Sequence, residues 1–319
     1  MYSQLSFRGL AGASVYKTLR AGVAYQVDKP FKLYKLSVGP DSKVDITKED
    51  ALRYYKQMVV IRRMENLLAN LYKNQEMRGF CHLYAGQVPI GVGVALSMKY
   101  ANTGGICMTL YGDGAANQGQ THESFNLAKV LNLPVVFVCE NNKFAMGTAD
   151  FRGSGSVDYY TRGSFLPGLW VDGMDVLAVR EATRFAKAHI FANKGPIVME
   201  LETYRYYGHS MSDPGTSYRT RDDIQAVRNE RDPITKFKDR LVTLKIATEE
   251  ELNKIQKDVK KNLDDDVKKA RGDPHPKLDE LATDVYQKPY QKQVRGMSPF
   301  TPLDHKSIGK AIVQHLKIK

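Results

Sequence analysis

Gly112-Asp113-Gly114 and, further along, Asn141-Asn142 are the residues whose types and spacing most suggest chemistry. The triplet ends an apolar run at 106–111. Glycines on both sides of Asp113 let the backbone turn tightly and let main-chain amides come close to an anion. The start of the helix expected next favours phosphate oxygens. The asparagine pair ends a second apolar run, 135–139. Asp113 and Asn142 stand 29 positions apart, about one helix plus one strand, which brings them to neighbouring carboxyl ends of a parallel sheet. A carboxylate, an amide oxygen, a main-chain carbonyl and two phosphates make the hard-oxygen set that a magnesium ion takes. Either motif alone also fits an ordinary turn; the joint spacing carries the reading. A third motif, Tyr207-Gly208-His209-Ser210-Met211-Ser212-Asp213, follows another apolar run. A histidine there exchanges protons near neutrality, although on its own it reads equally as a loop residue.

The elements that must position these residues follow from pattern. Residues 28–46 read as extended and connective. Thr47 and Asp50 have near capping-box spacing ahead of a long helix ending near Met77. Leu52, Met58, Val59, Met64, Leu67, Leu68 and Leu71 recur at helical spacing within it, predicting a core-packing face. Glycines and alanines along 87–99 predict a helix lying close against a sheet. Strands at 106–111, 135–139 and 197–203 then alternate with helices at 121–132 and 175–192. Strand–helix alternation with apolar strands predicts an α/β fold, a parallel sheet with helices on both faces, whose ligands bind beyond the strands' carboxyl ends. From Arg221 the chain becomes charged and helical (222–230, 234–244, 249–267), and 289–319 is basic and weakly patterned.

Composition narrows the class. With 319 residues, 42% hydrophobic and 26% charged, the chain can bury a large core. No apolar run approaches the roughly 18–20 residues of a membrane span. Net charge is +12, but its clusters are offset, as in Lys257–Lys261 followed by Asp264–Asp266. That pattern describes solvated helix faces and argues against nucleic acid as a partner. Cys81, Cys107 and Cys139 lie in apolar contexts without metal spacing and read as reduced core thiols. Residues 1–27 hold Arg8, Lys17 and Arg20 and no acidic residue, the pattern of a mitochondrial transit peptide.

On these residues the chain resembles a known family. Gly112-Asp113-Gly114 with Asn141-Asn142 matches the thiamine diphosphate-binding motif of transketolase-like enzymes. Residues 107–223 are similar to the alpha subunits of pyruvate dehydrogenases, in the thiamine diphosphate-binding 2-oxo acid dehydrogenase family. The stretches 110–120, 140–147, 167–175, 180–186 and 204–221 carry the likeness, as do residues 47–84, ending Arg78-Gly79-Phe80-Cys81-His82-Leu83-Tyr84. The resemblance implies a thiamine diphosphate-binding fold and oxidative decarboxylation of pyruvate, with transfer of the acetyl group to lipoamide. It implies Mg²⁺ ligation by Asp113, Asn142 and the carbonyl of Phe144, where the family usually has Tyr. It further implies diphosphate contacts from Gly114 and Ala115, His82 beside the cofactor, and His209 lining the active site. Ser210 and Ser217 match inhibitory phosphorylation sites, and Ala149 stands where the family has a third. The implied partners are a beta subunit in an α₂β₂ tetramer, which supplies the activating glutamate, a lipoyl acetyltransferase core, and a regulatory kinase and phosphatase, all in the mitochondrial matrix.

One departure stands out. The family has several dozen residues between the His-Leu-Tyr turn and the helix that begins Gly-Gln-Val-Pro, among them a Tyr-Arg pair and a glycine-rich loop that help hold the cofactor. Here Tyr84 passes almost directly to Gln87. The expected organisation is therefore a transit peptide over 1–27, a thiamine diphosphate-binding domain over 28–220 that is incomplete after Tyr84, and a helical region over 221–319. The sheet should carry an edge or gap where the missing strand belongs. A non-catalytic form that binds the beta subunit or the kinase is the alternative to an active subunit.

Overall fold

The computed structural model describes residues 22–76 and 88–274, together with the backbone of 293–295 and 302–304. The expected transit segment, apart from its last residues, the His82 turn and most of the basic tail lie outside the described residues. Cα proximity divides the chain into two compact units, one reaching Lys260 and one beginning at Lys261.

In chain order the first unit opens with β1 (Val23–Gln26), β2 (Lys32–Tyr34) and β3 (Lys43–Ile46), then α1 (Lys48–Lys73) and α2 (Val88–Tyr100). Next come β4 (Cys107–Gly112), α3 (Gly119–Val130), β5 (Val135–Asn141), the two-residue strands β6 (Phe144–Ala145) and β7 (Thr148–Ala149), and a single turn α4 (Asp150–Gly153). β8 (Gly168–Asp172), α5 (Val176–Phe191), β9 (Ile197–Glu202), α6 (Arg221–Arg231) and α7 (Pro233–Thr243) follow. α8 (Glu249–Gly272) runs on past Lys260, and β10 (Gln293–Arg295) pairs antiparallel with β11 (Pro302–Asp304).

The main sheet has the order β2-β8-β9-β5-β4. Three of its four pairings are parallel, and the fourth sets β2 antiparallel to β8. The expected α/β class with a mostly parallel sheet is what forms. The reading from pattern had three of these strands. Gly168–Asp172 was missed because five wholly buried residues show no alternation, and β2 lay unresolved within the connective stretch.

β5 shows why helices must cover both faces. Val135, Phe137 and Cys139 enter one core with α2, α3 and β4, whereas Val136 and Val138 enter a second core with α5, β8 and β9. Alternate side chains point to opposite faces, so a strand apolar at every position needs a helix layer on each. The helix leading into β5, α3, lies on the first face, and the helix leading into β9, α5, lies on the second. The winding therefore reverses between β5 and β9, a switch point where the loops beyond the strands separate.

Two expectations are refined. α2 does press its small residues on the sheet: a Cβ on Gly91 would stand 2.4 Å from Thr109 Cβ. α1 is capped by Thr47, whose side chain accepts from Asp50 N. Its face is not all core, however, since only Ala51, Tyr55 and Val59 are buried. From Met58 onward the helix also borders a cavity, through Met58, Ile61, Arg62 and Glu65. The missing strand leaves an edge and not an internal gap, with β4 terminal in the sheet among the described residues. No described helix is long and apolar enough to cross a membrane.

Close packing of α2 on β4 gives a direct test. Gly91→Ala drives a methyl into Thr109, and overpacking of this kind costs about 1–3 kcal/mol. Chemical denaturation should show a lower midpoint with an unchanged slope.

Candidate functional site

Beyond the carboxyl ends of the parallel strands lies a cavity of about 920 Å³. Its wall brings together Asp113, Gly114 and Ala115 from the end of β4, Asn142 and Phe144 after β5, and His209 after β9. Thus the expected residues that fall within the described part, the two phosphorylation serines apart, border one space. His82 lies outside the described residues.

Asp113 is 2% exposed, and its Oδ2 has no hydrogen-bond partner among the described residues. Burial raises its pKa above the ordinary carboxylate value and nearby Asp150 adds to this, against the pull of its own and Gly114's amides and of Arg205. A buried carboxylate oxygen without a partner is costly unless a cation or proton meets it. No three His, Cys, Asp or Glu side chains cluster as a metal cage among the described residues. Magnesium needs none when phosphate oxygens and water complete its octahedron. The donor set fits such an ion: Asn142 Oδ1 accepts from Phe144 N at 3.2 Å, and Phe144 O accepts from Arg205 Nη1 at 2.8 Å. Each of those oxygens keeps a second lone pair.

Neither Gly112 nor Gly114 takes a positive φ, and Gly114 is helical at −65°, so the expected tight turn does not require them and close approach alone distinguishes the two. A Cβ on Gly114 would stand 2.6 Å from Ala145 Cβ, so only glycine fits there, and on Gly112 it would meet nothing within 4 Å. The amides after Asp113 do not open α3 directly. Ala115–Asn117 form a 3-10 turn, held to the helix by Thr121 Oγ1 donating to Ala115 O at 2.9 Å. Helix α3 starts only at Gly119.

The neighbouring strand fixes the turn that carries Asn142. Asn141 Nδ2 donates to buried Glu200 Oε1 at 2.8 Å, and Asn141 Oδ1 accepts from Lys143 N at 3.2 Å. Burial raises the pKa of Glu200, partly offset by Asn141 and by the amide of Tyr160.

The His209 loop has its own hub, which the sequence motifs did not reveal. Asp213 accepts from His209 N at 2.7 Å, Gly215 N at 2.8 Å and Tyr218 Oη at 2.8 Å. These donors, His209 N first, hold its pKa below the usual value. Gly208 admits no side chain because a Cβ would meet Asp213 O at 2.0 Å. Arg205 also escaped notice, standing among tyrosines. It donates to Phe144 O, Met146 O, Tyr207 O and Tyr218 Oη, tying the β5 turn to the His209 loop. Arg219, 7% exposed, donates to Arg205 O and Tyr207 O and stacks on Phe144, Tyr204 and Tyr218. Its basic residue amid aromatic positions was the only signal in the sequence. Ser210 is half-buried with Oγ 2.9 Å from Ser212 Oγ, and Ser217 is exposed. Ala149 sits in β7, opposite Phe144.

Because Asp213 is stabilised as the carboxylate, its contribution is complete above the unfolded aspartate pKa, about 3.9, and fades as pH falls through its lower folded value. Asp213→Ala removes it at every pH. At pH 7 the amides of His209 and Gly215 should then exchange at least about tenfold faster, since a hydrogen bond to a charged group contributes roughly 1.5 kcal/mol or more.

Comparison with known proteins adds an independent finding. Residues 85–279 match the family model described as dehydrogenase E1 component. The chain is 45% identical to the probable pyruvate dehydrogenase E1 component subunit alpha, mitochondrial, of Caenorhabditis elegans, covering 89% of this chain and 92% of that one. It is 44% identical to the type I alpha subunit of Ascaris suum (84% and 86% covered), and 40% identical to the human somatic form (91% and 95%). The Caenorhabditis alignment spans 365 positions but takes in 89% of the 319 residues here, about 284, so about 81 of its positions, 365 less 284, have no counterpart in this chain. With the cavity, the switch point and this match together, the chain belongs to the dehydrogenase E1 component family.

Proposed function

We propose that this chain is the alpha subunit of a mitochondrial pyruvate dehydrogenase, acting with a beta subunit in the matrix on pyruvate, and that its cavity takes a magnesium–thiamine diphosphate pair. The observation that carries this reading is the buried carboxylate of Asp113, with an oxygen unpartnered among the described residues, beside Asn142 and Phe144 in one cavity with His209. The relatives named above are pyruvate dehydrogenase alpha subunits and mitochondrial, which supports substrate and compartment.

In this reading Asp113, Asn142 Oδ1 and Phe144 O hold the cation, and the amides of Gly114 and Ala115 face the diphosphate. When bound, the cofactor supplies a nucleophilic carbon and an electron sink for decarboxylation, and the protein supplies binding and orientation. His209 exchanges a proton with the substrate oxygen at the cavity mouth. Arg205 holds the β5 turn and the His209 loop in one arrangement, so cation binding and placement of His209 are linked. Ser210 and Ser217 are the regulatory phosphorylation sites. A phosphate on Ser210 brings about two negative charges beside Ser212 and Asp213, which opposes both an anionic substrate and the ordered loop. The glutamate that activates the cofactor comes from the beta subunit, so this chain alone is inactive. The acetyltransferase core, kinase and phosphatase are the further partners. The transit segment, expected over 1–27, ends before β1, because Val23–Gln26 pair with β3 and Tyr25 and Val27 are buried; the cofactor domain then runs to 220 and the helical region spans 221–319.

The shorter span between Tyr84 and Gln87 favours a second reading, a subunit that binds its beta partner but holds cofactor weakly. The Tyr-Arg pair and glycine-rich loop would have added charge-assisted contacts to the diphosphate. One experiment separates the two. The chain is co-expressed with its beta subunit, and thiamine diphosphate binding is measured by calorimetry with and without Mg²⁺. Mg²⁺-dependent binding that Asp113→Ala weakens by more than about a hundredfold, beyond the range for second-shell changes, is the expected result. Assembly with the beta subunit but no detectable binding overturns the catalytic reading for this form.

A further inference from the structure

Lys143 lies between Asn142 and Phe144, two of the three residues proposed above as cation ligands, and its backbone is left-handed, with φ of 73°. A residue with a side chain occupies that region only when its surroundings hold it there, at a cost of order 1–3 kcal/mol. The hold comes from the far side of the sheet end. Lys143 Nζ lies 3.0 Å from Glu202 Oε2 and 3.5 Å from Asp150 Oδ2. The other oxygen of Glu202 is 3.4 Å from Arg231 Nη1, and Arg231 Nη2 is 2.8 Å from Asp172 Oδ1. An alternating chain of charges, Asp150–Lys143–Glu202–Arg231–Asp172, thus crosses the carboxyl ends of β5, β9 and β8 and reaches α6.

Alternation turns this network into a positioning device. On β9, Glu200 and Glu202 are two residues apart and therefore on one face, and Glu202 registers with Asn141. Glu200 holds Asn141, and Glu202 holds Lys143. The residues between and after them, Asn142 and Phe144, border the cavity, whereas Asn141, Lys143, Glu200 and Glu202 do not. Pinning 141 and 143 away from the cavity obliges 142 and 144 to face it. Burial alone would raise the pKa of Glu202, yet Lys143 and then Arg231 bring it below the ordinary value, in keeping with a carboxylate held ionised between two cations.

We infer that Glu202 is a positioning residue: through its ion pair with Lys143 it holds the 142–144 turn with Asn142 Oδ1 and Phe144 O toward the cavity. The hold on the turn is a property of the ligand-free chain. Only its consequence for cation binding rests on the proposed function.

The test uses the full-length chain and hydrogen exchange read by mass spectrometry on peptides covering 141–146 and 135–139. Glu202→Gln keeps the shape and removes the charge; Lys143→Met removes the partner and, being on a partly exposed side chain, serves should the first variant fail to fold. Each should raise exchange over 141–146 by about tenfold and leave 135–139 unchanged. The double variant should match the singles, because two halves of one interaction do not add. Unchanged exchange over 141–146, equal loosening of 135–139, or additive effects in the double variant would each overturn the inference. With the beta subunit present, Glu202→Gln should raise the half-saturating Mg²⁺ for thiamine diphosphate binding by about 10–100-fold, with wild-type affinity at saturating Mg²⁺. If the wild-type protein shows no Mg²⁺-dependent binding, the proposed function fails while the exchange experiment still decides the role of Glu202.

Discussion

A carboxylate buried at the end of a parallel strand, with one oxygen lacking a partner among the described residues, is the constraint around which the rest of this structure is arranged. Asp113 sits where main-chain amides from its own turn reach it but no cationic side chain among the described residues donates to it. Desolvation of an unpaired charge is too costly to persist without a function or a neutralising partner. The sheet enforces that position: β4 and β5 lie in parallel register with Gly112 opposite Glu140, so the turns beyond both strands meet. The reversal of winding between β5 and β9 then opens the space above them. Fold and site are one geometric consequence of where the crossover helices lie.

The two loops over the cavity are held differently from the core below. Phe137, Cys139 and Val198 are buried in a continuous apolar layer, and such layers open only with global unfolding. The turn at 142–146 and the loop at 207–219 rest on side-chain hydrogen bonds and ion pairs, with Arg205 spanning both. Regions stabilised in this way lie at the low end of local stability. A site that must admit ligands draws on such elements. Asp113 stands at the end of the rigid β4, whereas Asn142, Phe144 and His209 stand on these looser segments.

Much of this was legible in the residues because it rests on local rules. The 29-residue spacing of Asp113 and Asn142 equals one helix plus one strand whatever the details of packing. The small-residue stripe of α2 announced its approach to Thr109. Other features depend on partners distant in sequence and left no local trace. Met58 and Ile61 carry the same helical pattern as core residues, yet they line a cavity, because what faces a helix is decided by elements more than 50 positions away. Arg205 reads as one more basic residue until the carbonyls of Phe144 and Met146 are seen to converge on it. Asp213 looks like a turn former, and only the folded loop makes it the acceptor for three donors.

The shortened span after Tyr84 separates what the fold requires from what the chemistry requires. β4 pairs with β5 alone among the described residues, but α2 packs against it, and Thr109 and Tyr111 remain buried. A sheet tolerates an edge strand when a helix covers it, so the loss of a neighbouring strand need not unravel the core. Binding has no such redundancy. The oxygens proposed to face the cation, after β4 and β5, stand on turns held by contacts among the described residues. A diphosphate, by contrast, carries charge along its whole length, and each arginine fork removed from it forfeits a charge-assisted contact. The architecture can therefore persist while affinity falls, and the two properties respond to different parts of the chain.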